Sequence, residues 1–185
     1  MSQTTTTTTY PAGTYKIDPS HTSVSFTVRH MMVSKVRGHF DVTDGTIRIA
    51  DDPAQSSVQV TLDAGSLDTR DPKRDGHVKS ADLLDVEQYQ TIEFRSTGVR
   101  QDGRGWRVDG ELTVHGVSRP VVLELEPAGT ATDPWGGLRA GFDARTEISR
   151  ADFGLSWNQA LEAGGVLVGD AVKVEIAVEA VQQAD

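Results

Sequence analysis

The chain has 185 residues and no cysteine, and its 27 acidic and 18 basic side chains give a formal net charge of −9 at pH 7. This acidic balance argues against a nucleic-acid-binding protein, which needs a basic face to meet phosphates. The lack of cysteine excludes disulfides, thiolate metal sites, iron–sulfur clusters and cysteine nucleophiles. Only 37% of the residues are hydrophobic, so we expect a core that is either thin or partly hollow.

The N-terminal residues contain a threonine run, Thr4–Thr9, and lack both the basic and the apolar region of a secretory signal. We predict a disordered leader over residues 1–12 and a single domain over residues 13–182. No apolar run approaches the roughly 20 residues that a membrane-spanning helix needs. The sequence therefore predicts a cytoplasmic protein.

Apolar and polar residues alternate along most of the chain, as in Val24, Phe26 and Val28. A period of two marks strands with one apolar face, and the short Asp-Gly and His-Gly connections favour antiparallel neighbours. The pattern predicts eight to ten strands, the breaks falling at turn signals such as Asp44-Gly45. They lie near residues 13–18, 23–30, 34–43, 45–50, 57–64, 91–100, 105–114, 120–128, 138–148 and 171–181.

Two segments interrupt this alternation. Within the polar residues 66–90 we predict a short helical insert near 80–86, which Ser80 would cap and whose Leu83, Leu84 and Val86 would face inward. Residues 149–169 combine aromatic residues with a glycine-rich run and form a predicted loop insert. Inserts of this length in a compact β domain are usually functional or cover something.

Many half-buried antiparallel strands must hide one face, either in a sandwich or in a barrel. An eight-stranded barrel has an interior that side chains fill or that holds one small ligand. Small inward residues such as Ala140 and Ala144 favour the barrel with a cavity.

Four stretches carry a family resemblance, in chain order. They are YKIDPSHTSVSFTVRHM with SKVRGHF, HVKSADLLDVEQY with TIEFRST, GELTVHGVSRPV, and RADFGLSWN with GGVLVGDAVKV. Over roughly residues 14–180 the chain resembles the YceI-like family of polyisoprenoid-binding proteins. The resemblance implies an all-β fold, an extended antiparallel eight-stranded lipocalin-like barrel. It also implies an apolar interior that holds a polyisoprenoid or similar lipid, and binding rather than catalysis.

The inward apolar residues are the candidate wall for a lipid chain, since burying apolar surface is favourable by about 25 cal/mol per Å². The alternative is that they pack against one another as a solid core. The predicted wall consists of Phe26, Val28, Phe40, Leu83, Phe94, Leu112, Phe142, Phe153 and Trp157.

Residues 19–40 contain no acidic side chain, although the chain is acidic. Apolar residues among cations suit a surface that meets lipid head groups, so we hypothesise that the turn over residues 29–37 forms the barrel mouth. The alternative is an ordinary surface hairpin. Predicted contacts to a pyrophosphate or membrane head group are Arg29, His30, Met31, Met32, Lys35 and Lys79. Lys73, Arg74 and His77 alternate with aspartates, which is more typical of a solvated loop.

No pair of histidines has the spacing of a strand or helix metal site, and the G-x-S-x-G turn is absent. We therefore predict no catalytic residue, no metal and no cofactor. The predicted function is sequestration or carriage of an isoprenoid or quinone-like lipid, with transient membrane-surface contact and no nucleic-acid partner. The resemblance and exposed strand edges are compatible with a homodimer. Two alternatives stay open: a metal-dependent or hydrolytic enzyme using the same cavity, and a packed barrel that acts as an interaction module.

Overall fold

The protein is described by a computed structural model over residues 10–103 and 105–185. One α-helix, α1 (Pro72–Lys79), lies between the fifth and sixth strands. The strands are β1 (Gly13–Ile17), β2 (Ser23–His30), β3 (Ser34–Phe40), β4 (Val42–Ile49), β5 (Ser57–Asp63), β6 (Thr91–Asp102), β7 (Gly105–Val114), β8 (Val117–Thr132), β9 (Leu138–Ser149) and β10 (Val168–Gln182).

These ten strands form one closed antiparallel sheet. β1 and β2 both pair with β10, so they act as one long strand that the 3-10 turn Pro19–His21 interrupts. β3 and β4 are separated only by Asp41 and pair with β2 and β1, so they form a second interrupted strand. Counted this way, the sheet is a closed eight-stranded antiparallel barrel, which confirms the predicted fold class.

The predicted break at Asp44-Gly45 is wrong, because both residues lie inside β4. The ladder between β4 and β5 shifts register between Val42 and Asp44, which is a bulge and not a turn. A Cβ on Gly45 would lie 2.5 Å from Cδ1 of Ile17. This glycine therefore permits close packing of the neighbouring strand instead of reversing the chain.

The predicted helical insert near residues 80–86 is also wrong in position. Asp71 caps α1 by accepting hydrogen bonds from the backbone N–H groups of Lys73 and Arg74, and Pro72 occupies the first turn. Ser80 ends this helix, its hydroxyl donating to the His77 carbonyl, whereas the residues after it form turns. Leu84 is nevertheless buried, as predicted for the inward face.

The predicted leader lies mostly outside the described residues, since residues 1–9 are not among them. Its last part is ordered: the Tyr10 ring stacks on Phe142 with centroids 4.7 Å apart. The Tyr10 hydroxyl donates to the Gly141 carbonyl and accepts from the Gly129 N–H. These contacts fix the chain before β1 begins. No helix in the described part of the chain is long and apolar enough to cross a membrane.

Candidate functional site: an apolar cavity along the barrel

The barrel interior is hollow. One continuous cavity of about 1610 Å³ extends from the loop after β4, around residues 50–56, to the opposite end, where α1 and the β2–β3 turn lie. We call these the far end and the helix end. Pockets for drug-sized ligands usually measure about 300–1,000 Å³, so this cavity suits a longer molecule.

The structure places all nine predicted wall residues on the lining of this cavity. Their contact with lipid stays a prediction. Sequence reasoning left out further lining residues that follow the same alternation, and their period of two could have identified them. These include Val36, Val60, Leu62, Val108, Leu123, Leu125, Ala144, Val174 and Ile176.

Two buried glycines keep the interior open. A Cβ on Gly38 of β3 would lie 2.5 Å from Cζ of Phe26, its direct partner on β2. A Cβ on Gly110 of β7 would lie 2.4 Å from Cζ of Phe94 on β6. Each aromatic ring therefore packs over a glycine of the neighbouring strand, where no side chain keeps it away from the barrel wall. Any larger residue at these positions would push a ring towards the cavity.

Gly38→Ala is expected to destabilise the fold by about 1–3 kcal/mol, because the new methyl group overlaps the Phe26 ring. The double variant Gly38→Ala/Phe26→Leu should recover part of this loss, because leucine relieves the overlap with the ring but Thr69 Cγ2 still lies 2.9 Å from the new Cβ. Urea unfolding of the single and double variants measures both effects. Gly98→Ala is the matched control, because its Cβ would meet only Asp109 Oδ2, at 3.8 Å. Equal losses of unfolding free energy in Gly38→Ala and Gly98→Ala would contradict the role of Gly38 in making room for the Phe26 ring.

The loop insert covers the helix end of the cavity. Its Phe153 is buried, and Trp157 contacts the His77 ring of α1 edge-on with centroids 4.4 Å apart. Asn158 fastens the insert to β10, accepting from the Val168 N–H and donating to the Val168 carbonyl. Residues 149–169 thus act as the predicted cover and supply two wall residues.

Arg150 holds this cover in place and was not predicted. Only 8% of it is exposed. Its guanidinium donates to the carbonyl groups of Gly169, Leu155, Trp157 and Val168, which joins both arms of the insert. Burial lowers the pKa of Arg150, and the Asp170 charge opposes that effect. Nothing in the sequence distinguishes this arginine from exposed ones.

The predicted mouth residues divide into three groups. His30 lies on the inner side of β2, in alternation with Val28, and lines the cavity. Arg29 also lines the cavity, although it is exposed, and a Cβ on Gly169 of β10 would lie 3.1 Å from its Cβ. Met31 and Met32 are exposed at the turn. Lys35 and Lys79 do not line the cavity.

Lys73, Arg74 and His77 line the cavity instead, together with Asp71 at the start of α1. The sequence interpretation of this segment as a solvated loop is therefore wrong, since α1 turns one side towards the interior. Spacings of three and four residues place Arg74, His77 and Val78 on the same side of this helix.

Among the described residues, one group has its donor atoms close enough to hold a metal ion: Asp18, His21 and Glu179. None of the three lines the cavity. The guanidinium of Arg139 already donates to Asp18 Oδ2 at 2.9 Å and to Glu179 Oε1 at 2.7 Å. Hydrogen bonds from Ser20, then His21 and Arg139, hold the pKa of Asp18 well below its usual range. The group is therefore an ion-pair network around an arginine.

Comparisons with known proteins agree with this architecture. A family model described as the YceI-like domain matches residues 15–180. A UPF0312 protein of Vibrio cholerae is 40% identical over 178 residues, which cover 93% of this chain and 89% of that protein. Protein YceI of Escherichia coli O157:H7 is 41% identical over 147 residues, covering 78% and 77%.

Two solved structures share the fold. The YCEI protein of Campylobacter jejuni is 27% identical, with a TM-score of 0.65 over 84% of this chain and 90% of that one. A domain from Saccharophagus degradans described as polyisoprenoid-binding gives a TM-score of 0.68 at 18% identity, over 91% of this chain and 98% of that one. With the family model matching nearly the whole barrel, this chain belongs to the YceI-like family.

Proposed function

We propose that this protein sequesters or carries a long-chain isoprenoid or quinone-like lipid inside its barrel. The observation that carries the proposal is the continuous apolar cavity of about 1610 Å³. The Saccharophagus degradans domain, described as polyisoprenoid-binding, has the same fold and supports this ligand class. The protein acts by binding and makes or breaks no bond.

The energetics of such a site are simple. An all-carbon chain needs no directed hydrogen bond, and its burial contributes about 25 cal/mol for each Å² of apolar surface removed from water. The shape of the cavity then selects ligands by length and width. Entry requires movement of elements that cover one end, and the loop insert at the helix end is the natural candidate.

Native mass spectrometry of the purified protein, followed by organic extraction, tests the proposal. We expect a copurifying lipid, or stoichiometric uptake of an added polyprenol by protein that has been stripped of lipid. Metal without lipid would favour the enzyme alternative instead. Protein that refuses every added isoprenoid would overturn the carrier function.

The β2–β3 turn supports a transient contact with a membrane surface. We name Met31–Val33 the hairpin tip. The exposed fractions of its three side chains are 46%, 63% and 81%. Both methionines have a left-handed backbone, with φ of 51° and 62°, which costs roughly 1–2 kcal/mol per residue.

Cations flank the hairpin tip. Arg29 and Lys35 pair directly across the base of the hairpin, and no acidic residue occurs between residues 19 and 40. Apolar side chains among cations fit an anionic bilayer, whose surface attracts each nearby lysine or arginine by about 1 kcal/mol. The tip lies at the helix end, so the contact would bring that end of the cavity to the membrane.

Met31→Asn/Met32→Gly separates membrane contact from folding. Asn-Gly favours two consecutive left-handed residues, so the variant should be at least as stable as the wild type. Loss of two apolar side chains should weaken binding to phosphatidylglycerol vesicles about tenfold, or about 1.4 kcal/mol. Vesicle sedimentation and thermal unfolding measure the two effects. Val122→Ser removes an exposed apolar side chain of β8 and should change neither vesicle binding nor thermal stability. Unchanged vesicle binding by the double variant would contradict the contact.

A cytoplasmic location and a homodimer are also proposed, on the sequence alone. Cell fractionation checks the first, and sedimentation equilibrium checks the second.

A further inference from the structure

The residues just before β1 lie across part of the far end of the cavity. We name residues 10–12 the strap. Gly13 pairs with Ile49 at the end of β4, which places the strap at the same end of the barrel as the loop over residues 50–56. All three strap residues line the cavity. The strap is therefore part of the cavity wall, although it belongs to no strand.

The Tyr10 ring lies inside the barrel. It stacks on Phe142, which lines the cavity, with an interplanar angle of 22°. The next inward position of β9 is Ala140, and its partner on β10 is Ala180. Both alanines are fully buried, neither lines the cavity, and Tyr10 packs against the core cluster that contains them. On this side of the barrel, the cavity therefore ends at the strap.

The Tyr10 hydroxyl is built into the sheet. It accepts from the Gly129 N–H at 2.8 Å and donates to the Gly141 carbonyl at 2.9 Å. These glycines lie opposite each other on β8 and β9, beside a register shift between Pro127 and Gly129. The hydroxyl thus links the two strands at a point where their own ladder is irregular.

Two further hydrogen bonds hold the strap in place. The hydroxyl of Tyr15, which is fully buried, donates to the Pro11 carbonyl at 2.8 Å. The side-chain amide of Gln182 donates to the Ala12 carbonyl at 3.3 Å. Departure of the strap would leave the buried Tyr15 hydroxyl without this acceptor, which is unfavourable. Each strap residue is therefore bonded to the barrel, as expected for a fixed stopper.

We propose that the strap limits the length of the lipid chain that the cavity accepts, and that Tyr10 is the residue that sets this limit. The inference rests on the proposed carrier function and adds selection by chain length. An apolar chain gains affinity with each unit that it buries. Units that pass the strap must either displace the Tyr10 ring, which breaks both hydroxyl bonds, or extend into water. Neither adds affinity, so the gain with chain length should stop at the strap.

A series of polyprenols from geranylgeraniol to undecaprenol tests the limit, since its members differ only in chain length. Affinities are measured by competition at one fixed detergent concentration. For the wild type, we expect the affinity to rise with length and then become constant. Tyr10→Ala should move this limit to longer chains. It should bind undecaprenol about tenfold more tightly than the wild type does and leave the affinity for geranylgeraniol unchanged.

Two control variants separate the ring from other effects. Tyr10→Phe keeps the ring and loses the hydroxyl bonds, so its melting temperature should fall while the length limit stays. Trp135→Ala removes an aromatic side chain from the turn between β8 and β9, where it is 87% exposed and does not line the cavity. This variant should keep the wild-type profile. If circular dichroism shows that Tyr10→Ala does not fold, Tyr10→Leu repeats the test with a shorter apolar side chain.

The outcomes distinguish the two proposals. If no polyprenol binds to the wild type, the carrier function itself fails. If polyprenols bind and Tyr10→Ala has the same length profile as the wild type, the carrier function stands and the strap is overturned as the limit. An equal gain for geranylgeraniol and undecaprenol in Tyr10→Ala would also overturn it, because a stopper acts only on chains that reach it.

Discussion

Ala144→Trp is expected to weaken polyprenol binding about a hundredfold and to stabilise the lipid-free protein. Ala144 lines the cavity near the middle of β9, between Leu125 and Ile176 on the neighbouring strands. A tryptophan ring buries about 150–250 Å². It therefore displaces contact between the lipid chain and the cavity wall that is worth roughly 4–6 kcal/mol. Because the lipid chain shifts partly within the cavity, the expected loss of binding free energy is about 3 kcal/mol, or about a hundredfold in affinity.

The sign of the stability change distinguishes a hollow barrel from a packed one. In a packed core the added ring would overfill the interior and cost about 1–3 kcal/mol, whereas in a hollow core it gains apolar burial. Isothermal titration with a polyprenol and thermal unfolding measure the two quantities. Ala177→Phe is the matched control, because Ala177 follows Ile176 on β10 and is exposed. Destabilisation by Ala144→Trp with unchanged binding would contradict the cavity as the ligand site.

Arg150→Leu is expected to destabilise the protein by about 3–5 kcal/mol. The substitution removes this donor from the carbonyl groups of Gly169, Leu155 and Trp157, whereas the Val168 carbonyl keeps Asn158. Each buried polar group left unsatisfied costs roughly 1–3 kcal/mol. Because domains of this kind have about 5–15 kcal/mol of stability, the variant would be close to unfolding. Urea unfolding measures the loss, and limited proteolysis should cut first between residues 154 and 168.

Two variants test the cause of this effect. Arg150→Lys keeps the charge but not the planar set of donors, so it should restore only part of the stability. Arg145→Leu removes an exposed arginine of β9, the strand that precedes Arg150, and its side chain pairs with Glu124. This variant should cost less than about 1 kcal/mol. Full stability of Arg150→Leu would show that the insert folds without this clamp.

Strand positions were predictable because alternation is a local signal. β2 and β7 have the predicted bounds, and β6, β8 and β10 extend only a few residues beyond them. The helix was misplaced because α1 contains a single large apolar residue, Val78. It is held by its cap and by buried Asp75, which accepts from the backbone N–H and hydroxyl of Thr69. The apolar residues after Ser80 were a stronger periodic signal, although they belong to turns.

The wall of the candidate site was predictable for the same reason, whereas the role of Arg150 and the basic residues of α1 that line the cavity were not. Phe26 and Phe94 face inward by alternation alone. The burial of Arg150 depends on carbonyl groups up to nineteen residues away in the chain. The exposure of Lys73 to the cavity depends on where α1 packs.

The sequence by itself determined that this chain makes amphipathic antiparallel strands, since a period of two requires only neighbouring residues. It left open whether the interior is filled or hollow, because the same inward residues serve both. That choice depends on Gly38 and Gly110, which let two aromatic rings lie against the wall. The lining of the helix end by both α1 and the loop insert likewise exists only once segments distant in the sequence pack together.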